Sequence, residues 1–166
     1  MMGEGCGPAE QGLPADLDLV ACDVQTDGPF IRALTRANFY ESISRTFGWD
    51  EARFQQEPHD PERYTMVRRG GQTVGFFALR EDGDALYLQT LQLVAPARGQ
   101  GVGTALLRYI VALARARQLP RVRLRVFRDN RAITLYERHG FHVVDATAPQ
   151  LVMERNLRVP SEEEIP

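Results

Sequence analysis

Cysteine is scarce in this chain of 166 residues, which contains only Cys6 and Cys22. Two isolated cysteines cannot build the disulfide framework that stabilises small secreted domains, so a reducing compartment is the expectation. The three histidines do not show the spacing that is typical of a metal site. We therefore predict that the protein needs neither disulfides nor a bound metal.

Long hydrophobic runs and a net charge of one sign are also missing. No apolar stretch reaches the roughly 20 residues that a membrane-spanning helix needs. The residues after Met1 are glycine-rich and acidic, whereas a signal peptide has a basic start and an apolar core. A formal net charge of −2 gives no general attraction to nucleic acid or to an anionic membrane. We expect a cytoplasmic protein that binds neither.

The chain does contain enough apolar material for one core, with 43% hydrophobic and 25% charged residues. Residues 1–14 are rich in Gly and Pro and lack periodicity, so they are predicted to be a disordered N-terminal segment. Residues 15–157 are predicted to form a single domain. Residues 158–166 are predicted to be an acidic flexible tail.

The most informative stretch is a glycine-rich turn, Arg98-Gly99-Gln100-Gly101-Val102-Gly103-Thr104, between the apolar run Ala85–Val94 and the amphipathic run Thr104–Leu119. Where a strand turns into a helix, the first amides of the helix are unpaired and lie at the positive end of its dipole. Glycines let the backbone approach an anion because no Cβ is in the way. The turn therefore predicts a site for a phosphorylated ligand.

Two common phosphate-binding motifs do not fit this turn. A Walker loop has a lysine after its last glycine, but Gly103 is followed by Thr104 and Ala105. A dinucleotide fingerprint read from Gly99 has Thr104 where its third glycine belongs, and no clear ribose-binding acid follows about twenty residues later. The spacing instead fits the pattern Arg/Gln-x-x-Gly-x-Gly, which begins here at Arg98.

A second motif occurs in the run Asp129–Phe141, which reads N-x-x-A-x-x-L-Y-x-x-x-G-F from Asn130. Asn130 is a good helix N-cap, and Gly140 stands where a helix ends in the left-handed conformation. In the order and spacing of these two motifs, the chain resembles the GNAT superfamily of acyl-CoA-dependent N-acyltransferases.

The resemblance implies acetyl-CoA as co-substrate. Amides of the glycine-rich turn would hold its pyrophosphate, backbone groups near Leu91–Val94 would pair with its pantetheine arm, and Asn130 would touch that arm. The cofactor-binding residues predicted on this basis are Leu93, Val94, Arg98, Gly99, Gln100, Gly101, Val102, Gly103, Thr104 and Asn130.

Hydrophobic patterning predicts the order of the elements. The predicted strands are Leu17–Val24, Tyr64–Arg69, Thr73–Arg80, Ala85–Val94, Arg121–Phe127, Phe141–Ala146 and Leu151–Asn156. The predicted helices are Gly28–Thr46, a short helix after Trp49-Asp50, Thr104–Leu119 and the segment between Asn130 and Gly140. The turn Gly70-Gly71 is a strong hairpin signal.

The strand, helix and strand around the glycine-rich turn imply a right-handed parallel crossover from Ala85–Val94 to Arg121–Phe127. The fold class is therefore predicted to be α+β (α/β three-layer), with a GNAT-like mixed, mostly antiparallel central sheet that is flanked by helices. The resemblance adds that the parallel pair of strands is splayed, with the pantetheine arm between them.

The chemistry of acetyl transfer needs a neutral amine as nucleophile and a proton for the leaving thiolate. Tyr136 matches the general-acid tyrosine of the family, and a phenol with a pKa near 10 is protonated at pH 7. The strand Leu86–Gln92 has no residue that titrates near neutrality. Gln89 can order a water but cannot take its proton, and Glu41 is a candidate from another segment. The general base is therefore left unassigned.

The acceptor surface is predicted in Phe39–Glu51, where aromatic and acidic residues occur together and where the resemblance places the acceptor wall. The candidate substrate-binding residues are Tyr40, Glu41, Trp49 and Gln89. The alternative is that these aromatics are ordinary core residues.

Together these features predict an N-acetyltransferase that moves an acetyl group from acetyl-CoA to a primary amine of a small molecule. Two alternatives stay open: an enzyme that acetylates the N-terminus or a lysine of a protein, and a non-catalytic acyl-CoA-binding module. The oligomeric state is open as well, and a homodimer is compatible with the sequence.

Overall fold

A computed structural model describes residues 12–56 and 63–158 of the chain. The predictions for residues 1–11 and 159–166 lie outside the described residues. The strands are β1 (Leu17–Ala21), β2 (Tyr64–Arg69), β3 (Gln72–Asp82), β4 (Ala85–Leu93), β5 (Arg121–Phe127), β6 (His142–Thr147) and β7 (Gln150–Asn156). The helices are α1 (Val24–Phe47), α2 (Glu51–Gln56), α3 (Val102–Ala116) and α4 (Ala132–Arg138).

The seven strands form one mixed sheet in the order β1-β2-β3-β4-β5-β7-β6. Strands β4 and β5 are parallel, and the other neighbours are antiparallel. Gly70 and Gly71, with φ of 56° and 82°, form the turn between β2 and β3, as a two-residue hairpin of this type requires. The predicted mixed, mostly antiparallel sheet with one parallel pair is confirmed.

Helices cover both faces of the sheet and give the predicted three layers. On one face, α3 buries Leu106 and Ile110 in a core that includes Leu86 of β4 and Val122 of β5. On the other face, α1 buries Ile31 and Leu34 against Met66 of β2 and Phe76 of β3. Over residues 12–56 and 63–158, no helix combines the length and the apolar character needed to cross a membrane.

The predicted boundary between the first strand and the first helix is wrong. The strand was predicted over Leu17–Val24 and the helix over Gly28–Thr46, but β1 ends at Ala21 and α1 begins at Val24. The reason is capping chemistry. Asp23 Oδ1 accepts hydrogen bonds from the amides of Gln25 (3.0 Å) and Thr26 (3.5 Å), which would otherwise be unpaired in the first turn.

Helix α3 begins earlier than predicted, at Val102 instead of Thr104, and ends at Ala116 instead of Leu119. Gly101, in the left-handed conformation, is its N-cap residue, so the helix starts directly after the second glycine of the turn. The final two strands begin one residue from their predicted starts, at His142 and Gln150.

Candidate active site

A gap opens in the sheet between the parallel strands β4 and β5. The two strands pair only from Ala85 opposite Arg121 to Leu88 opposite Leu124. The next residue of β4, Gln89, is an extra residue relative to β3, because Leu88 faces Leu79 and Thr90 faces Ala78. Such a bulge bends its strand. It therefore accounts for the separation of the two strands at their carboxyl ends, where open α/β sheets bind ligands.

The glycine-rich turn lies at this edge of the sheet. Gly99 and Gly101 have φ of 69° and 84°, which side-chain-bearing residues rarely adopt. Ala105 is the first residue of the helix whose amide reaches a backbone acceptor in the preceding turn, the carbonyl of Gly101 at 3.0 Å. The amides of residues 102–104 thus have no acceptor within the helix and lie at the positive end of its dipole. A Cβ on Gly101 would meet no atom within 4 Å, so the turn is open on that side.

Gly103 has a different structural role from the other two glycines of the turn. A Cβ on Gly103 would lie 3.0 Å from Cδ2 of Leu135, which belongs to α4. The missing side chain therefore allows α3 and α4 to approach closely. This contact positions α4, and with it Tyr136, relative to the first turn of α3.

Helix α4 carries Tyr136 on its buried face. Asn130 Oδ1 accepts a hydrogen bond from the amide of Ala132 (2.9 Å) at the start of the helix. Gly140, with φ of 79°, follows its end. Tyr136 is 6% exposed, and its ring packs against Phe141 with centroids 5.8 Å apart. Burial raises the pKa of Tyr136 to about 12, so the phenol keeps its proton at neutral pH.

The backbone of β4 presents alternating residues to the gap. The Val94 amide donates to the Val74 carbonyl of β3 (2.9 Å). Since successive residues of a strand point their polar groups to opposite sides, those of Leu93 face the gap. The Leu93 carbonyl accepts from the Arg98 guanidinium, at 3.3 Å from Nε and 3.2 Å from Nη2. Leu93 and Val94 were both predicted to contact the pantetheine arm. The backbone polar groups of Leu93 face the gap, whereas the amide of Val94 is hydrogen-bonded to β3.

A part-buried polar cluster that the sequence analysis missed lies between β4 and α1. We define it as Thr35, Asn38, Thr90 and Gln92. Gln92 is 4% exposed, and its Nε2 donates to Thr90 Oγ1 (3.0 Å) and Thr35 Oγ1 (3.3 Å). Asn38 Nδ2 donates to Gln92 Oε1 (3.4 Å), and Asn38 Oδ1 accepts from Nη2 of Arg98. The sequence signal that could have revealed this cluster is the spacing of its polar residues, which lie three apart on α1 and two apart on β4.

The other predicted turn residue with a side-chain contact is Gln100. Its Oε1 accepts from Nη1 of Arg69 (2.8 Å), which fastens the turn to the end of β2. Arg69 is itself paired with Asp16 (2.8 Å). The turn is therefore braced on one side by this arginine and on the other by the contact of Arg98 with Asn38.

The predicted acceptor residues fall into two places. Tyr40 and Glu41 lie on the face of α1 that points away from the sheet, where they line a groove of about 1010 Å³ between α1 and α2. Trp49 stacks between Tyr40 and Phe54, at centroid distances of 5.1 and 4.8 Å. Gln89 lies in the β4 bulge and is not among the groove residues. The structure thus brings three of the four together.

Helix α1 also reaches the end of β5, on the far side of the gap. Ser42 Oγ lies 3.0 and 3.1 Å from the two carboxylate oxygens of Asp129, to which it donates. Phe39 packs against Phe127, with ring centroids 6.2 Å apart. Because its Asn38 contacts Gln92 of β4, the helix spans the mouth of the gap.

Glu41, the candidate base, is held at the surface. Its side chain is 83% exposed and pairs with Arg45 (3.0 Å), which also lies 3.8 Å from Asp129. In the part of the chain that the structure describes, no group of three or more His, Cys, Asp or Glu side chains is placed to hold a metal ion. The side chains that meet at the β4 side of the gap are neutral amides and hydroxyls together with Arg98.

Comparison with known proteins gives two kinds of match. The model of the acetyltransferase (GNAT) family matches residues 29–141. A crystal structure of PaiA N-acetyltransferase from Thermoplasma acidophilum in complex with coenzyme A is similar with a TM-score of 0.68 at 16% identity, over 84% of this chain and 98% of that one.

Two further structures have acceptors of different kinds in their names. Nourseothricin acetyltransferase is 28% identical, with a TM-score of 0.51 over 60% of this chain and 68% of that one. The ribosomal-protein-S18-alanine N-acetyltransferase of Escherichia coli is 20% identical, with a TM-score of 0.57 over 88% and 97%. Proteins of this fold therefore include acetyltransferases for small molecules and for proteins.

Proposed function

This chain belongs to the acetyltransferase (GNAT) family, and from that premise we propose that it transfers an acetyl group from acetyl-CoA to a primary amine of a small molecule. The observation that carries the proposal is the junction of three features at one edge of the sheet. These are the unpaired amides that begin α3, the gap between β4 and β5, and the buried phenol of α4.

The residues fit acetyl-CoA as the acyl donor. A pyrophosphate needs several convergent amide donors and a positive potential, which the first turn of α3 supplies after Gly101. The open space beside that glycine leaves room for the phosphates. A pantetheine arm carries amides of its own, and an exposed strand edge such as the Leu93 side of β4 pairs with such groups.

Tyr136 supplies the proton that the departing thiolate needs. Its raised pKa keeps the phenol protonated, and its position on α4 is set by the close approach of that helix to Gly103. A positioned general acid of this kind contributes about 10²–10⁴-fold to the rate.

In this proposal the acceptor amine loses its proton to water and not to a protein side chain. The polar cluster beside the gap is neutral, so it accommodates an uncharged amine better than a desolvated ammonium ion. Gln89, at the bulge, would order the water that carries the proton away.

Selection of the acceptor is assigned to Phe39–Glu51. The groove between α1 and α2 is lined by apolar side chains, by the carboxylate of Glu41 and by Arg32 and Arg36, and Arg36 is paired with Glu51. The apolar walls and the Glu41 carboxylate suit an amine with an apolar part. The small-molecule acceptor is supported by nourseothricin acetyltransferase, named for such an acceptor, which is 28% identical over 60% of this chain. The S18-alanine enzyme is 20% identical over 88% of it, so the choice between the two kinds of acceptor is made by experiment.

An acceptor panel tests the proposal. The protein is incubated with acetyl-CoA and, separately, with free diamines and polyamines, amino acids, aminoglycoside-type antibiotics, and peptides with free N-termini or lysines. Release of the CoA thiol is measured, and the acetylated product is identified by mass. The proposal predicts the fastest release with a free small-molecule amine. Faster release with peptides would favour the protein acetyltransferase, and binding of acetyl-CoA without release in any arm would favour the non-catalytic module.

A further inference from the structure

The side chain of Arg98 occupies the place that the donor would need. Its guanidinium bonds to the Leu93 carbonyl, which faces the gap. In the proposed function that carbonyl is a pairing group for the pantetheine arm. A carbonyl shared with a charged guanidinium is a poorer acceptor for a neutral amide, so the two partners compete for it.

Asn38 holds the arginine in that place. Its Oδ1 accepts from Nη2 of Arg98, and its Nδ2 donates to Gln92 Oε1 (3.4 Å). Gln92 is in turn anchored by Thr90 and Thr35. The carboxamide of Asn38 is therefore fixed from behind by a part-buried network, while the Arg98 side chain is exposed.

From these contacts we propose that Asn38 is a positioning residue of the donor site. In the free protein it retains the Arg98 guanidinium on the Leu93 carbonyl, and acetyl-CoA must displace this guanidinium to bind. The displaced guanidinium then turns toward the pyrophosphate, where a bidentate cation is favoured. The inference rests on the proposed binding of acetyl-CoA. It adds that binding is weakened by the free energy needed to displace Arg98, which the sequence motif alone does not predict.

A comparison of two acetyl donors distinguishes this inference from a purely structural role of Arg98. Acetyl-CoA carries the phosphates, and acetyl-pantetheine lacks them. In Arg98→Ala, acetyl-pantetheine loses a competitor and is expected to bind about threefold to tenfold more tightly. Acetyl-CoA also loses a phosphate partner and is expected to bind about tenfold more weakly. Dissociation constants are measured by calorimetry for acetyl-CoA and by ligand-observed NMR for acetyl-pantetheine. A variant that binds both donors more weakly, with an unchanged melting temperature, would overturn the inference.

Substitutions of Asn38 give a second pair of opposite effects. Asn38→Ala releases the arginine and should tighten acetyl-CoA binding severalfold. Asn38→Asp holds it by a charge-assisted hydrogen bond and should weaken acetyl-CoA binding severalfold. Arg117→Ala, at the far end of α3, and Asn156→Ala, on β7, are the matched controls and should leave both donors unaffected.

The outcomes distinguish a failure of the proposed function from a failure of the role of Asn38. If the unmodified protein binds no acetyl-CoA, the proposed function fails. If it binds acetyl-CoA and both Asn38 variants match it, only the role of Asn38 fails. Asn38→Ala also removes a contact to Gln92, so melting curves of both Asn38 variants are recorded. If the two variants lose the same stability but change the affinity for acetyl-CoA in opposite directions, the inference is supported.

Discussion

At the scale of single residues, Tyr136 is the side chain on which the proposed chemistry depends. Tyr136→Phe removes the proton donor but keeps the ring that packs on Phe141. We expect turnover to fall about 10²–10⁴-fold while the affinity for acetyl-CoA is unchanged. Steady-state kinetics and calorimetry measure the two effects, and Tyr64→Phe, in β2, is the control.

The pH dependence provides a check on the same assignment. With a pKa of about 12, Tyr136 loses its proton only in strongly alkaline solution. The rate should therefore rise with pH as the acceptor amine becomes neutral, without an alkaline decline below about pH 10. Near-normal turnover in Tyr136→Phe, with acyl transfer shown to limit the rate, would remove Tyr136 from the mechanism.

A substitution at Gly101 tests the proposed anion site, and the same substitution at Gly83 is the matched control. Gly101 and Gly83 both have positive φ, and a Cβ on either would meet no atom within 4 Å. Valine at either position therefore imposes a similar backbone strain, of about 1–2 kcal/mol. Only Gly101→Val also places a side chain where the phosphates would lie. We expect similar melting temperatures for the two variants and a large loss of acetyl-CoA affinity in Gly101→Val alone. Equal affinities would place the phosphates elsewhere.

Residues whose roles depend on local conformation were the predictable ones. The left-handed turn at Gly140 and the hydrogen bond from the Ala132 amide to Asn130 follow from chemistry within a few residues of each, although the N-cap residue of α4 is Arg131 and not Asn130 as predicted. The contact between Arg98 and Asn38 joins residues 60 apart in the chain. It depends on how α1 lies across the sheet, so no local pattern contains it.

At the scale of elements, helix α2 is fastened to α1 by Glu51. Its carboxylate accepts from Trp49 Nε1 (2.8 Å) and Gln55 Nε2 (2.9 Å), and it also pairs with Arg36. The hydrogen bond from Trp49, followed by that from Gln55, holds the pKa of Glu51 below its ordinary value. A depressed pKa means that the contact is fully formed above pH 4.5 and is lost as the pH falls through the lower value.

Trp49 reports this acid transition because it is the only tryptophan in the chain. We expect its fluorescence to change as the pH falls below 4.5, before the far-UV circular dichroism of the sheet is lost. In Glu51→Gln the amide still accepts from Trp49 but does not titrate, so this step should vanish. Persistence of the step in that variant would assign it to another carboxylate, and Glu137→Gln on α4 serves as the control.

The same pair of helices carries the prediction about the acceptor. Glu41→Gln, in the groove between α1 and α2, should raise the KM of a cationic acceptor about twofold to fivefold, because an exposed carboxylate contributes at most roughly 1 kcal/mol. The affinity for acetyl-CoA should not change. Trp49→Phe keeps an aromatic ring beside Tyr40 and is expected to have a smaller effect. If Glu41→Gln has wild-type acceptor kinetics, the acceptor binds outside the groove, on the inner face of α1.

Elements with a clear signal within their own sequence were predicted well. Strand β2 and strand β5 have their predicted bounds, because turn glycines and alternating apolar residues define them. The start of α1 was misread because Val24 continues an apolar run, whereas the capping of Asp23 begins the helix. The bulge at Gln89 was not predicted, since a bulge is a property of two paired strands.

At the scale of the whole molecule, the fold brings together groups from distant parts of the chain. The turn before α3 and the helix α4 that carries Tyr136 are in contact through Gly103 and Leu135, and the polar face of α1 contacts the turn where β4 and β5 separate. The sequence predicted the first two through motifs. It did not predict the neutral polar cluster opposite them, because its members are ordinary Thr, Asn and Gln residues until the sheet and α1 pack together.

The most direct test of the account is the transfer of a labelled acetyl group from acetyl-CoA to a free amine by the unmodified protein. We predict that one CoA thiol is released for each acetylated amine, that release depends on the amine, and that Gly101→Val loses this activity while Gly83→Val keeps it. Binding of acetyl-CoA without any labelled product, across the whole acceptor panel, would contradict the account.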